Sequence, residues 1–267
     1  LINYLDLVSL GTVCDVVPLV GLNRAIVKQG LKILKSKKNL GLKTLLDICK
    51  IESSPSIYHL GFMLGPRINA GGRVGKCSHG ANLLLNTDPK NAFKLASELD
   101  QYNKERQLLE KDLLQKLLDE TKNYSKDPVL VLSGINWHEG IIGIVAARLK
   151  DKFNKPVIII SIEGQIGKAS ARSIVGFDIG SIIISATQNK ILLKGGGHKM
   201  AGGFSININN IERFKEFVFR KFRNINEDLT SVKPLYLDSV LSPTAINLEF
   251  YNKVNNLAPF GSGNPEP

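Results

Sequence analysis

Residues 128–162 read PVLVLSGINWHEGIIGIVAARLKDKFNKPVIIISI, and this stretch decides the fold class. Val129–Leu132 is a short apolar run behind Pro128, the length of a buried strand. Glycines follow. From about Gly140 to Phe153 the residues Ile141, Ile142, Val145, Ala146 and Leu149 then fall on one side of a helix. Pro156 precedes Val157–Ile162, a second β-branched run. Strand, helix and strand in that order predict a βαβ unit of an α/β domain.

Downstream, Lys168–Arg172 alternates small and basic residues in the manner of a strand, and Phe177–Ala186 reads as a helix. A glycine cluster at Gly195–Gly197 precedes a strand near Gly203–Ile208. Ile211–Phe222 predicts an amphipathic helix with Phe214, Phe217, Val218 and Phe222 on its apolar face. After about Leu229 the pattern changes: Leu235–Leu237 is strand-like, Leu248–Leu257 helix-like, and Pro259–Pro265 has turn chemistry.

Upstream lies the clearest helix. Asp88 is a candidate N-cap and Pro89 occupies the first helical position, where a missing N–H costs nothing. No glycine and no further proline appears before about Asn123, and Leu95, Leu99, Tyr102, Leu109, Leu113 and Leu117 recur mostly three or four apart. A helix of this length spans roughly 50 Å and predicts a connector between two domains. Nearer the start, Tyr4–Val13 is apolar enough for a helix or a strand, and periodicity does not decide between them. Asn23 is a candidate N-cap for the next helix, and shorter helices fit Leu42–Cys49 and Ile57–Leu64.

The chain has 267 residues, enough for about two domains. Its 43% hydrophobic and 22% charged content excludes general disorder, a collagen-like chain or a coiled coil. No apolar run approaches the roughly 20 residues of a membrane span. Thirty-five Lys and Arg against 24 Asp and Glu give a net charge of +11. Such an excess attracts polyanions, with nucleic acid first among them, although a lysine-rich solvated surface has the same arithmetic. The three cysteines form no CxxC pair, which argues against a disulfide scaffold and a cysteine zinc site and fits a reducing cytoplasm. No signal peptide is visible. The chain opens at Leu1, without an initiator methionine, and reads as the interior of a longer polypeptide.

Four stretches carry candidate chemistry. Gly65-Pro66-Arg67-Ile68-Asn69-Ala70-Gly71-Gly72-Arg73 reads as a glycine-rich loop, with Arg67, Asn69 and Arg73 as candidate phosphate contacts. His138, in Trp137-His138-Glu139-Gly140, stands between a strand and a helix, where ligands gather in α/β sheets; a tryptophan packed under a turn is the plainer reading. Ser170 and Arg172, two apart on a strand, share a face and make a hydroxyl–guanidinium pair suited to phosphate, although an ordinary edge strand explains them too. Lys194–Gly203 holds Gly196, Gly197 and His198, a candidate anion-binding nest that lacks the ending of a Walker loop. Asp15 is a lone acid at the end of an apolar segment, and one ligand does not make a metal site. His59 and His79 read as structural.

Taken together, these stretches resemble the RecJ single-strand DNA exonucleases of the DHH phosphoesterase superfamily. Asp6–Leu19 resembles the fourth motif of that superfamily; Gly65–Arg73, Trp137–Gly140, Gly167–Ser173 and Gly196–Gly203 match in order and rough spacing; Pro259–Pro267 resembles the start of the family's OB-fold. Gly202 stands where alanine is usual. The resemblance implies an α/β architecture in four parts: residues 1–86 closing a DHH catalytic domain, 87–126 a connecting helix, 127–228 a DHH-associated, substrate-binding domain, and 229–267 the beginning of an OB-fold. It implies a two-metal 5′-to-3′ exonuclease of single-stranded DNA, using Mn²⁺ or Mg²⁺ and acting in DNA repair and recombination. A narrow gap beneath the long helix would admit one strand and exclude duplex.

Under the resemblance Asp15 matches a metal ligand, with the remaining ligands upstream. Arg67, Ser170 and Arg172 match positions that grip DNA phosphates. His198, with Gly196 and Gly197, matches the loop that meets the strand near the scissile phosphate, giving Asp15 and His198 the catalytic positions. Asn69, Arg73 and His138 join the DNA-contacting set. The implied protein is a cytoplasmic monomer without a membrane association, with single-stranded DNA as partner and a single-strand-binding protein or helicase beside it. Two alternatives stand: a phosphodiesterase of oligonucleotides or cyclic dinucleotides, and a non-catalytic single-strand-binding module. Leu235–Pro267 argues against the first, and Asp15 favours an enzyme over the second.

Overall fold

The structure, a computed structural model, describes residues 2–121, 126–223 and 237–267. Two compact units emerge: Leu1–Lys104 with Pro234–Pro267, and Glu105–Lys233. Among the described residues no helix is long and apolar enough to cross a membrane.

The first unit is helical, with α1 (Leu5–Cys14), α2 (Gly21–Lys35), α3 (Leu40–Ile48), α4 (Gly65–Val74), α5 (Ser78–Leu84), the first part of α6 (Pro89–Glu120), and α10 (Leu248–Asn255). The segment left open between helix and strand is α1. Its Ser9 hydroxyl donates to the Leu5 carbonyl (2.6 Å) and its Thr12 hydroxyl to the Val8 carbonyl (2.8 Å), bonds available only in a helix. Gly30 of α2 lies against this turn, so close that a Cβ there would stand 2.2 Å from the Leu5 carbonyl oxygen. Helix α2 starts at Gly21 after an extended Val20, two residues before the expected cap; Asn23 instead donates from Nδ2 to the Pro18 carbonyl (3.2 Å). Asn39 caps α3 by accepting from the Leu42 amide (3.0 Å). Leu34, Leu42, Leu45, Leu60 and Leu64 form a core that Ala92, Ala96 and Leu99 of α6 complete.

Helix α6 starts as expected, with Asp88 accepting from the Asn91 amide (3.0 Å). Its 32 residues run to roughly 48 Å, and the boundary between the units falls inside it, between Lys104 and Glu105. The C-terminal segment belongs to the first unit. The Arg24 guanidinium reaches the carbonyls of Asn256, Leu257 and Ala258, and the Leu19 amide donates to the Ser262 carbonyl (2.6 Å). The strand expected at Leu235–Leu237 falls almost wholly outside the described residues.

The second unit is the α/β body: β1 (Leu130–Ile135), α7 (Glu139–Phe153), β2 (Val157–Glu163), β3 (Ile166–Arg172), α8 (Ile179–Gln188), β4 (Lys194–His198), β5 (Ala201–Asn207) and α9 (Ile211–Arg223). The strand order is β1-β2-β3-β5-β4. β1 and β2 run parallel across α7, as a βαβ unit must; the other pairs are antiparallel. Helix α7 lies over β2 and β3, and α8 over β4 and β5 on the opposite face. That second face carries the larger core, in which Ile158, Ile160, Ala171 and Phe204 of the sheet meet Ile183, Phe214 and Phe217.

Two expectations are corrected by the sheet. β3 is its central strand and not an edge strand, because β2 and β5 flank it. The glycine cluster is neither a loop nor a nest: Lys194–His198 is β4, the edge strand, joined to β5 in a hairpin, and its amides on the β5 side serve a strand ladder.

Candidate nucleic-acid interface

The strand register sorts the second unit's candidate residues by face. Ser170 of β3 stands opposite Gly203 of β5, which stands opposite Gly196 of β4. Arg172, Ala201 and His198 form the next row, and Lys168, Ser205 and Lys194 the one before it. Directly paired residues point to the same side of a sheet, so Lys168, Ser170, Arg172, Lys194, Gly196 and His198 share one face. Helix α7 bounds that face at β3, where Glu139 pairs with Lys168 (2.6 Å). Beyond β3 the face is open: a Cβ built on Gly196 meets nothing within 4 Å, and one on Gly203 meets only the Ala169 carbonyl oxygen, at 3.3 Å.

The other glycines of the cluster serve the opposite face. A Cβ on Gly195 would come within 2.6 Å of Ile183 of α8, and one on Gly202 within 2.5 Å of the same side chain. A Cβ on Gly180 of α8 would stand 2.9 Å from the Gly197 carbonyl carbon and 2.8 Å from the His198 carbonyl oxygen. Glycine in β4 and β5 therefore does two jobs by alternation: one set lets α8 sit directly on the backbone, and the other leaves a bare lane on the face above. Gly197 belongs to the first set.

Along this lane stand cationic side chains and a hydroxyl, with Glu139 at its border. Arg172 donates from Nη1 to the Ser170 hydroxyl (3.3 Å) and to the Ala171 carbonyl (2.8 Å), which holds its fork against the strand. Lys168 keeps its proton to higher pH than usual because it donates to Glu139. His198 is exposed at the end of β4. His138 caps α7: its Nδ1 accepts from the Gly140 amide (3.1 Å), so in the neutral ring Nε2 carries the proton. It precedes Glu139 and so stands at the Lys168 end of the face. Trp137 packs over Gly134, with Lys116 5.6 Å from its ring centroid.

The remaining candidates lie in the first unit, and there the expected loop is a helix. Gly65–Val74 is α4, entered from a π-helical turn at His59–Leu64, with Pro66 in its first turn. Its glycines are packing sites: a Cβ on Gly65 would lie 2.4 Å from the Cys14 Sγ of α1, and one on Gly71 2.6 Å from the Lys76 carbonyl oxygen. A helix also separates the three polar residues. Arg67 donates from Nε to Asp100 (2.8 Å) and from Nη1 to the Met63 carbonyl (2.8 Å), leaving its side chain 17% exposed. Asn69 instead lines an apolar groove of about 460 Å³ with Leu7, Gly11 and Cys14, and Arg73 is exposed. His59 accepts at Nδ1 from the Ser56 amide (2.9 Å), and the buried His79 lies 3.1 Å from Glu98.

The Arg67–Asp100 contact has a pH signature. Burial raises the Asp100 carboxyl, but hydrogen bonds from Lys104 and Arg67 and the charge of Arg67 outweigh it, and the group ends below its usual value. A carboxylate depressed in the folded state contributes stability that is complete above its unfolded value of about 3.9 and is lost as pH falls through the lower folded value. Urea unfolding of the parent should therefore weaken below about pH 4 more steeply than that of Asp100→Asn. Parallel curves would remove the carboxylate from the acid response.

Asp15 follows the last residue of α1, its amide donating to the Gly11 carbonyl (3.0 Å) and its side chain exposed. Burial, and then the Asp15 charge, push the adjacent Cys14 thiol up. Among the described residues no group of three or more His, Cys, Asp or Glu could hold a metal ion. One carboxylate does not make a two-metal centre, so the donor set of this chain does not fit one without further ligands.

Lys168 and Lys194 join the sequence-predicted residues on this face. Strand alternation alone puts Lys168 on the face of Ser170 and Arg172; Lys194 joins it only through the pairing of β4 with β5.

The class that this architecture defines is recognisable. Residues 110–224 match the DHHA1 domain, which covers nearly all of the α/β unit. Over its whole length the chain is a homologue of the RecJ single-stranded-DNA-specific exonucleases. It is 33% identical to RecJ of Bacillus subtilis (99% of this chain, 34% of that protein) and 35% identical to RecJ of Escherichia coli K12 (100% and 48%). The crystal structure of Thermus thermophilus RecJ in complex with Mg²⁺ superposes with a TM-score of 0.88 at 32% identity, covering 100% of this chain and 41% of that one. The chain thus spans about a third to a half of the length of the curated relatives it matches.

Proposed function

We propose that this chain supplies the strand-gripping part, and one edge of the catalytic part, of a single-stranded-DNA-specific 5′-to-3′ exonuclease. The observation that carries this reading is the open face of the second unit. An arginine fork and a hydroxyl stand beside a lane that glycine leaves bare, ringed by Lys168, Lys194 and His198. An extended phosphodiester backbone can lie directly on such a lane. The fork of Arg172 matches phosphate oxygens in geometry as well as charge. His198 stands one row from Gly196, where a neutral or charged imidazole can donate to a phosphate oxygen. The activity for which the relatives are named and the net charge of +11 support the same assignment.

In this reading residues 1–86 close a DHH catalytic domain, 87–126 link it to the substrate-binding domain at 127–228, and 229–267 lead into an OB-fold. Asp15 contributes one carboxylate to a centre for Mn²⁺ or Mg²⁺, the metals in the RecJ crystal structures. Gly197 acts by seating α8, while Arg67 supports α4 through Asp100, and Asn69 and Arg73 stand further along that helix. His138 contributes an Nε2 donor at the far end of the lane. The protein acts in the cytoplasm, as a monomer, in DNA repair and recombination, alongside a single-strand-binding protein or a helicase.

The test is a titration of the chain with 3′-labelled single-stranded DNA, carrying either a 5′-phosphate or a 5′-hydroxyl, and with duplex of the same sequence, over a range of salt. Expected are tighter binding of single strand than duplex, tightest with the 5′-phosphate, and a log affinity falling by about 0.7 per engaged phosphate for each decade of salt. No hydrolysis is expected from these residues alone. Salt-independent binding, or equal binding of duplex, would overturn the reading.

A further inference from the structure

Gly143 occupies the fifth position of α7. Its backbone is ordinary: its φ is not positive, and it lies well inside a 15-residue helix. Glycine at such a place weakens a helix relative to alanine, so local structure gives no reason for it. Nor does the core of α7, which Ile141, Ile142, Val145, Ala146 and Leu149 fill, while Gly143 is only half-buried. What a side chain there would meet is specific. A Cβ would stand 2.9 Å from the Ser170 hydroxyl, 3.1 Å from Nη2 of Arg172 and 3.6 Å from the Ser170 Cβ. These atoms belong to two side chains and none to the backbone. A methyl would therefore displace the hydroxyl and the guanidinium and leave the helix and strand where they are.

We propose that Gly143 is a positioning residue for phosphate recognition: the space it leaves on α7 lets Ser170 and Arg172 lie together as one seat for a phosphate of the single strand. The inference rests on the assignment of that pair as a phosphate grip. It adds that the helix facing the strand, and not the strand alone, sets the geometry of the grip. The Arg172–Ser170 hydrogen bond of 3.3 Å runs beside the missing Cβ, so the pair has room to turn both donors toward one anion. Within this seat the helix contributes only the absence of a side chain.

Gly143→Ala, Ser170→Ala, the double variant and Arg172→Ala are made in the full chain. Each is titrated with 3′-labelled, 5′-phosphorylated single-stranded DNA at fixed low salt, and each is melted. Gly143→Ala is expected to melt at or above the parent temperature, because alanine favours the helix. It is expected to bind the strand about tenfold or more weakly. In the Ser170→Ala background, where the nearest colliding atom is gone, the same change should cost no more than about threefold. A helix that merely carried the fold would show no such coupling. Parent-like binding by Gly143→Ala overturns the inference, and so does an equal loss in both backgrounds, whatever the melting temperatures. Parent-like binding by both Arg172→Ala and Ser170→Ala would instead overturn the phosphate grip itself.

Discussion

If the proposed phosphate grip holds, Arg172→Ala is expected to lower the affinity for single-stranded DNA by about ten- to hundredfold, the equivalent of the roughly 1.5–3 kcal/mol carried by hydrogen bonds to charged groups. Arg172 ends β3, the central strand, and its fork is held by the Ser170 hydroxyl and the Ala171 carbonyl on the same strand. That arrangement pre-orders a long side chain, so less conformational entropy is lost when a phosphate arrives. Alongside the loss of affinity, the salt dependence should fall by the share of about one phosphate. Arg172→Lys should lie between parent and alanine, since it keeps the charge and loses the fork. Fluorescence anisotropy across a salt series reads both quantities. If the alanine variant keeps parental affinity and salt slope, Arg172 has no phosphate partner.

Phe214→Ala is expected to destabilise the α/β unit by about 3–5 kcal/mol, the usual cost of emptying a buried phenylalanine site. Phe214 is fully buried, and its ring centre lies 4.6 Å from that of Phe204, inclined by 57°. Phe204 follows Gly203 on β5, so this aromatic pair fixes the strand whose other face is the bare lane. Against a typical domain stability of about 5–15 kcal/mol, the loss is a large fraction of the whole. Strand binding should accordingly fail at lower urea concentration than in the parent. Phe214→Leu, which keeps most of the volume, should cost less than about 1.5 kcal/mol. Equilibrium urea unfolding distinguishes them, and a cost below about 1 kcal/mol for alanine would mean that the cavity closes by repacking.

Each of these effects reaches the site through a contact of a different range. Arg172 acts through its own strand, Phe214 through a neighbouring strand and the core beneath it, and Gly143 through the helix that bounds the open face. Only the first is visible in a linear pattern. Lys168, Ser170 and Arg172 alternate, and alternation alone gives them a common face. That the strand is central, with β5 and β4 extending the face, follows from pairing between residues far apart in the chain.

The glycine-rich stretches are where composition misleads most. Gly65–Arg73 has the composition of a loop, yet it forms α4, because its glycines face Cys14, Lys76 and Leu99, and contact between helices outweighs glycine's poor local propensity. Gly195–Gly203 likewise reads as a flexible anion nest. It becomes a hairpin because α8 packs on it too closely for any side chain at Gly195 or Gly202. In both cases composition reports the absence of side chains and says nothing about which neighbour requires it.

The order of residues by itself determined the βαβ core of the second unit and the long helix α6, since β-branched runs, helical periodicity and the Asp88–Pro89 start are signals within a few residues. It also determined the resemblance that the comparisons with RecJ sustain. Tertiary structure alone decided that α4 is a helix, that the glycine cluster is paired strand, and that Gly143 stands against Ser170 and Arg172. The reason is physical: propensity and periodicity act along the chain, whereas close packing joins residues that the chain itself keeps far apart.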